Sequence, residues 1–268
     1  MSHDKYLTYS SYLHLDELLA LQEERSGEAG GEPEHDEMLF IVIHQVYELW
    51  FKQLLHELDF AKLLLAEDDL PRLLHTMKRI LTILKVLVAQ LDILETMRPL
   101  DFLAFRKRLA EASGLQSFQF RELEFVLGWK RPEVFDRYPP GSEARARVER
   151  RYREPSLWRA FLGFLAERGY AVPAHVLERD PTESTAASEE VQEALLELYR
   201  TDPPLVPLCE RLVDLDEGIQ EWRYRHVKMV ERTIGWKRGT GGTSGAPYLQ
   251  RSLNRQVFPD LWAIRTRL

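Results

Sequence analysis

The sequence predicts an all-α fold, a bundle of long antiparallel helices, on two observations. Apolar residues recur at helical spacing along almost the whole chain. No stretch alternates apolar and polar residues well enough to compete with the helical template. Taken in order, residues 12–24 give a short amphipathic helix, and SGEAGGEPEH (26–35) a flexible link. Asp36 is the expected N-cap of a long helix reaching Asp68. Pro71 stands where a helix can start, and that helix ends before Pro99. A shorter helix runs from Pro99 to Ala112, broken by Ser113-Gly114, and another spans 116–128. RPEVFDRYPPGSEARAR (131–147) reads as a connection because of its Pro and Gly content. Residues 155–169 and 185–200 read as helices, with AVPAHVLERDPTEST between them. The last long helix, 204–236, delivers the glycine-rich loop KRGTGGTSG (237–245). There is no internal repeat or low-complexity tract, and the chain reads as one domain, residues 1–268.

The totals exclude several function classes. A net charge of −7 argues against a broad nucleic-acid surface. The lone Cys209 excludes an internal disulfide framework, a cysteine-rich zinc site and a Cys-x-x-Cys-His haem attachment, and fits a reducing, cytoplasmic setting. The N-terminus lacks a basic start followed by an apolar run, so no signal peptide is expected. Nowhere does an apolar run approach the length of a membrane span.

Eight histidines are present, and none falls in a His-Glu-x-x-His or repeated Glu-x-x-His pattern. Two stand out by their neighbours. In FIVIHQVYELWF, Phe40, His44, Tyr47 and Phe51 share one helix face; in EWRYRHVKMVERTIGW, Trp222, His226, Met229 and Thr233 do the same. Each histidine reads either as a core residue whose ring finds a hydrogen bond, or as a group facing a flat apolar pocket, such as a haem requires. Periodicity does not separate these readings. Arg106 follows Phe102 by one helical turn, the arrangement of an inward carboxylate clamp or of a surface ion pair. Arg223 and Arg225 flank His226 and suit either haem propionates or solvent. YSSY (9–12) is aromatic enough to cap its own core or to reach a neighbouring subunit. The glycine-rich loop is not a phosphate loop: Ser244 occupies the place of the second required glycine, and a helix rather than a strand precedes it.

Four blocks, HDEMLFIVIHQVYELWFKQLLHELD, RPLDFLAFRKRL, SGLQSFQFRELEFVLG and WRYRHVKMVERTIGWKRGTGGTSG, resemble the tryptophan 2,3-dioxygenase family. The similarity runs from about Tyr6 to the C-terminus and is weakest over 131–200. The resemblance implies an all-helical homotetramer with one haem b per subunit, acting on L-tryptophan or a close analogue with O₂. It implies His226 as proximal iron ligand, His44 as the distal residue beside the indole N–H, and Phe40 lining the indole pocket. Arg106 would bind the substrate carboxylate with Phe102 beside it, a position where some members carry tyrosine. Thr240 would bind the ammonium together with a haem propionate, and Ser113 and Gly114 would lie near the haem edge. Tyr9, Tyr12 and Leu13, within the N-terminal segment 1–24, match residues donated to a neighbour's site. The loop 237–246 then reads as a lid over a zwitterion, its glycines letting the backbone close tightly. The reaction implied is cleavage of the indole C2–C3 bond to N-formyl-L-kynurenine. Two alternatives are a haem monooxygenase on tryptophan or a methylated analogue, and a non-catalytic haem or tryptophan sensor.

Overall fold

The computed structural model describes residues 6–29, 32–110 and 112–268. Its elements are α1 (Tyr9–Leu13), α2 (Leu15–Leu18), α3 (His35–Ala66), α4 (Leu70–Leu94), α5 (Pro99–Arg106), α6 (Phe118–Val126), α7 (Glu143–Arg153), α8 (Leu157–Glu167), α9 (Ala174–Leu177), α10 (Glu189–Thr201), α11 (Val206–Ile234), α12 (Ala246–Gln250) and α13 (Pro259–Ala263), with short 3-10 turns between some of them. No strand occurs among the described residues.

Three long helices form the frame. α4 packs along both α3 and α11, and their apolar stripes meet in a core that includes Ala61, Leu64, Met77, Ile80 and Cys209, all fully buried. α11 and α4 come unusually close at Gly218, where a β-carbon would sit 2.5 Å from Leu84 Cδ2. α6 and α8 cover the other flank of α3, α7 lies on α6, and α5 bridges the ends of α3 and α11. The C-terminal segment is pinned to α11 through Asp216. That fully buried carboxylate accepts hydrogen bonds from the backbone N–H groups of Val257 and Phe258 and from Trp262 Nε1, each at 2.9 Å.

The long elements lie where their periodicity predicts, and the differences have local causes. The expected helix 12–24 is instead α1 and α2, divided at His14, whose φ of 52° is left-handed and interrupts helical hydrogen bonding. α3 begins one residue before the expected cap: Glu34 is the N-cap without a side-chain bond, and Asp36 sits in the first turn, where its charge suits the helix dipole. The helix expected to run to Ala112 leaves α-geometry after Arg106. The stretch 131–147 is more ordered than its Pro and Gly suggest. It holds a 3-10 segment, Pro132–Arg137, and the start of α7, capped by Ser142, whose Oγ accepts from Arg145 N at 3.2 Å. α9, α12 and α13 are short helices inside stretches that carry no helical expectation.

Candidate functional site

One cavity of about 290 Å³ lies between α3, α5 and α11, beneath the glycine-rich loop. From α3 it receives Phe40, His44, Tyr47 and Phe51, the predicted face, because residues spaced three or four apart project from one side of a helix, and Glu48 beside them. From α11 it receives Trp222, His226, Met229 and Thr233, again the predicted face. Phe102 and Arg106 enter from α5, Ser113 and Gly114 from the turn that follows, and Gly239, Thr240 and Thr243 from the loop.

His44 is held by its own helix. Its Nδ1 lies 2.7 Å from the Phe40 carbonyl, and its ring packs on the Phe40 ring at 4.1 Å. A carbonyl only accepts, so Nδ1 carries the proton and the neutral ring presents the Nε2 lone pair. Burial holds its pKa below 6.5, outweighing the Phe40 carbonyl and Glu48, which pull it up. His226 lies parallel to the Trp222 indole, with centroids 5.1 Å apart and planes 4° apart. Neither of its ring nitrogens has a hydrogen-bond partner among the described residues. Its half-open surface faces the cavity, and burial, then His44 and Arg121, push its pKa down to about 4. Both imidazoles are therefore neutral at pH 7.

At the loop end, Phe102 joins a cluster with Phe40 and Phe105, its ring 5.8 Å and 5.5 Å from theirs. Arg106 Nη2 donates to the backbone carbonyl of Arg238, and no carboxylate pairs with Arg106 among the described residues. The loop rests on Ser113: a β-carbon at Gly241 would lie 2.8 Å from Ser113 Cβ and Oγ. Tyr9, Tyr12 and Leu13 are not part of this cavity within one chain; Tyr9 and Tyr12 stand 76% and 67% exposed.

Sequence reasoning missed the opposite wall. Arg121, Glu124, Trp129, Arg131, Arg223 and Tyr248 all face the cavity, and of these only Arg223 drew attention. Arg121 and Arg131 share Glu124 at 2.5 Å and 2.7 Å. The guanidinium carbons of Arg131, Arg223 and Arg255 lie 3.9, 4.8 and 5.2 Å from the Trp129 ring. Arg121 and Arg223 are only 6% and 4% exposed. Burial lowers the pKa of both, yet an arginine keeps its charge. Arg225, by contrast, turns outward to Asp92 and Glu95 on α4 and its C-terminal cap.

These features test the fit of a haem. Among the described residues no cluster of three or more His, Cys, Asp or Glu is arranged to hold a bare metal ion. The cavity offers an unpartnered neutral imidazole, aromatic walls, and cationic side chains in excess of Glu124. Arg121 Nε, Arg131 Nε and Trp222 Nε1 are buried polar atoms with no hydrogen-bond partner among the described residues. An apolar, anionic, iron-bearing ring matches that donor set. No helix among the described residues is long and apolar enough to cross a membrane.

Comparison with known proteins agrees with the geometry. The sequence profile "Tryptophan 2,3-dioxygenase" matches residues 2–139 and 191–268. The chain is 58% identical to tryptophan 2,3-dioxygenase of Herpetosiphon aurantiacus over 98% of both chains. It is 53% identical to that of Anaeromyxobacter sp. strain K over 100% of this chain and 98% of the relative. With the Bordetella pertussis protein of the same name the identity is 43%, over 98% and 91%. Profile and full-length relatives together place the chain in the tryptophan 2,3-dioxygenase family.

Proposed function

We propose that the protein binds one haem b per chain and cleaves the indole C2–C3 bond of L-tryptophan with O₂, giving N-formyl-L-kynurenine. The observation that carries this reading is the pair of neutral histidines, His44 and His226, lining one cavity from two different helices, with the Arg106 guanidinium at the loop end. When bound, the haem supplies the iron that activates dioxygen. His226 would hold that iron, its ring lying parallel to the Trp222 indole. Arg121, Arg131 and Arg223, which line the cavity, would offer cations to the haem carboxylates, and Ser113 and Gly114 would help hold the group.

The remaining residues position the substrate. His44 Nε2 accepts the indole N–H, because Nδ1 is committed to Phe40. Phe40 forms the wall of the indole pocket, and Phe102 adds apolar surface without a hydroxyl. Arg106 pairs with the carboxylate through a planar fork, and the Thr240 hydroxyl accepts from the ammonium. Burying a zwitterion is costly unless both charges are met, so indoles lacking the amino-acid group bind poorly. Holding both ends leaves the indole little freedom, and such placement contributes about 7–11 kcal/mol in the best cases. In the homotetramer that the resemblance implies, the exposed Tyr9, Tyr12 and Leu13 would complete a neighbour's cavity.

The test is incubation of reduced, haem-loaded protein with L-tryptophan and ¹⁸O₂. A ring-opened formyl product carrying two labelled atoms is expected. One labelled atom in a ring-intact product would overturn the reading in favour of a monooxygenase.

A further inference from the structure

We propose that Arg106 also positions the loop 237–246, so that the guanidinium receiving the substrate carboxylate holds down the segment that carries Thr240. This rests on the reading of Arg106 as the carboxylate ligand. Arg106 Nη2 donates to the Arg238 carbonyl, a contact 132 residues apart in sequence. A guanidinium has five N–H donors in a fixed fork. One is spent on the loop, and the acceptor is neutral, so the positive charge stays uncompensated and the other donors can meet a planar anion.

The contact is to backbone, and it falls at the hinge of a compactly folded loop. Gly242 N donates to Gly239 O and Gly239 N to Thr243 O, each at 3.2 Å, and the Arg238 side chain turns back to Gly242 O at 3.2 Å. Gly245, at φ 73°, closes the base, where a β-carbon would lie 2.5 Å from Lys237 O. These contacts fold the loop on itself. It meets the body of the protein at Arg106 on one side and at Ser113, against Gly241, on the other. Thr240 lies between these two attachments. A carboxylate that immobilises Arg106 therefore fixes the height of Thr240 as well, and recognition of one end of the amino acid prepares recognition of the other. An indole amine without a carboxylate loses both effects, so its defect appears in kcat as well as in KM.

The experiment is limited trypsin digestion of full-length, haem-loaded enzyme without any amino acid, following cleavage after Lys237 and Arg238 by mass spectrometry. Wild type, Arg106→Leu and Arg106→Lys are compared at equal haem content. Amide exchange over 239–245 is followed in parallel, and tryptophan affinity is measured for each variant. Loss of a charged hydrogen bond raises the open population, so Arg106→Leu should be cut roughly 10- to 100-fold faster. Arg106→Lys, with one ammonium in place of the fork, should fall between and serves as the test if the leucine variant does not retain haem. Cleavage and exchange unchanged from wild type would overturn the tether. Faster cleavage with wild-type tryptophan affinity would keep the tether and remove the carboxylate role, whereas weakened affinity with unchanged cleavage would do the reverse.

Discussion

His44 shows how much a single local contact decides. Its Nδ1 is spent on the Phe40 carbonyl one turn back, which fixes the tautomer before any ligand arrives. Protonation would fill Nε2 and remove the acceptor for an indole N–H. Burial places that event below the ordinary 6.5, so activity is retained as pH falls to 6.5 and is lost only below it. A kcat/KM profile should show the acid limb below pH 6.5; a limb centred above 6.5 would mean that another group controls substrate entry. The helix faces that carry the two histidines were legible in the sequence because their neighbours repeat at three- and four-residue spacing, although spacing alone did not separate a core role from an iron ligand. Arg121 and Glu124 were not. In FQFRELEF nothing in their spacing singles them out, yet α6 lies between α3 and α7 and is buried on both sides. A charge run cannot announce that a second layer covers it.

Among elements, the placement of His226 depends on how α11 lies against α4. Gly218 sets that spacing, since any side chain there meets Leu84 at 2.5 Å. In an open helix Gly→Ala gains about 1 kcal/mol. Here Leu84 is itself core, so overpacking of about 1–3 kcal/mol should prevail and Gly218→Ala should be destabilised. Urea unfolding of Gly218→Ala, Leu84→Ala and the double variant should give a double that is less destabilised than the sum of the singles. Strict additivity would mean the helices simply separate. The frame helices were readable from sequence because long stripes average over local noise. α7 was not, because Pro139, Pro140 and Gly141 outweigh the Ser142 cap that starts it. His14 breaks the first helix through a backbone conformation that no side-chain pattern encodes.

At the scale of the whole molecule, the N-terminal segment leaves large apolar side chains uncovered within one chain. Tyr6, Leu7, Tyr9 and Tyr12 are all strongly exposed, an arrangement that a folded monomer seldom keeps. Deletion of residues 1–12 should lower activity while haem content and the iron–histidine spectrum are retained. Mixing this truncated chain with full-length His226→Ala, under conditions that exchange subunits, should restore part of the activity, one partner giving the haem and the other the tyrosines. No recovery in demonstrated mixed oligomers would assign the segment to its own chain. The proposed role comes only from the family resemblance, since exposure belongs to the folded chain and YSSY alone suits a core cap equally well.

No residue from 132 to 221 lines the cavity. The family profile passes over 140–190 within that same stretch. Seen from the cavity, the chain has two parts with different duties. One is held by what the reaction demands of particular atoms. The other is fastened through Lys130 Nζ to the carbonyls of Arg151, Tyr152 and Glu154 and through Thr185 N to Gly128 O, and an insertion at the Pro139–Gly141 corner should leave the chemistry unchanged.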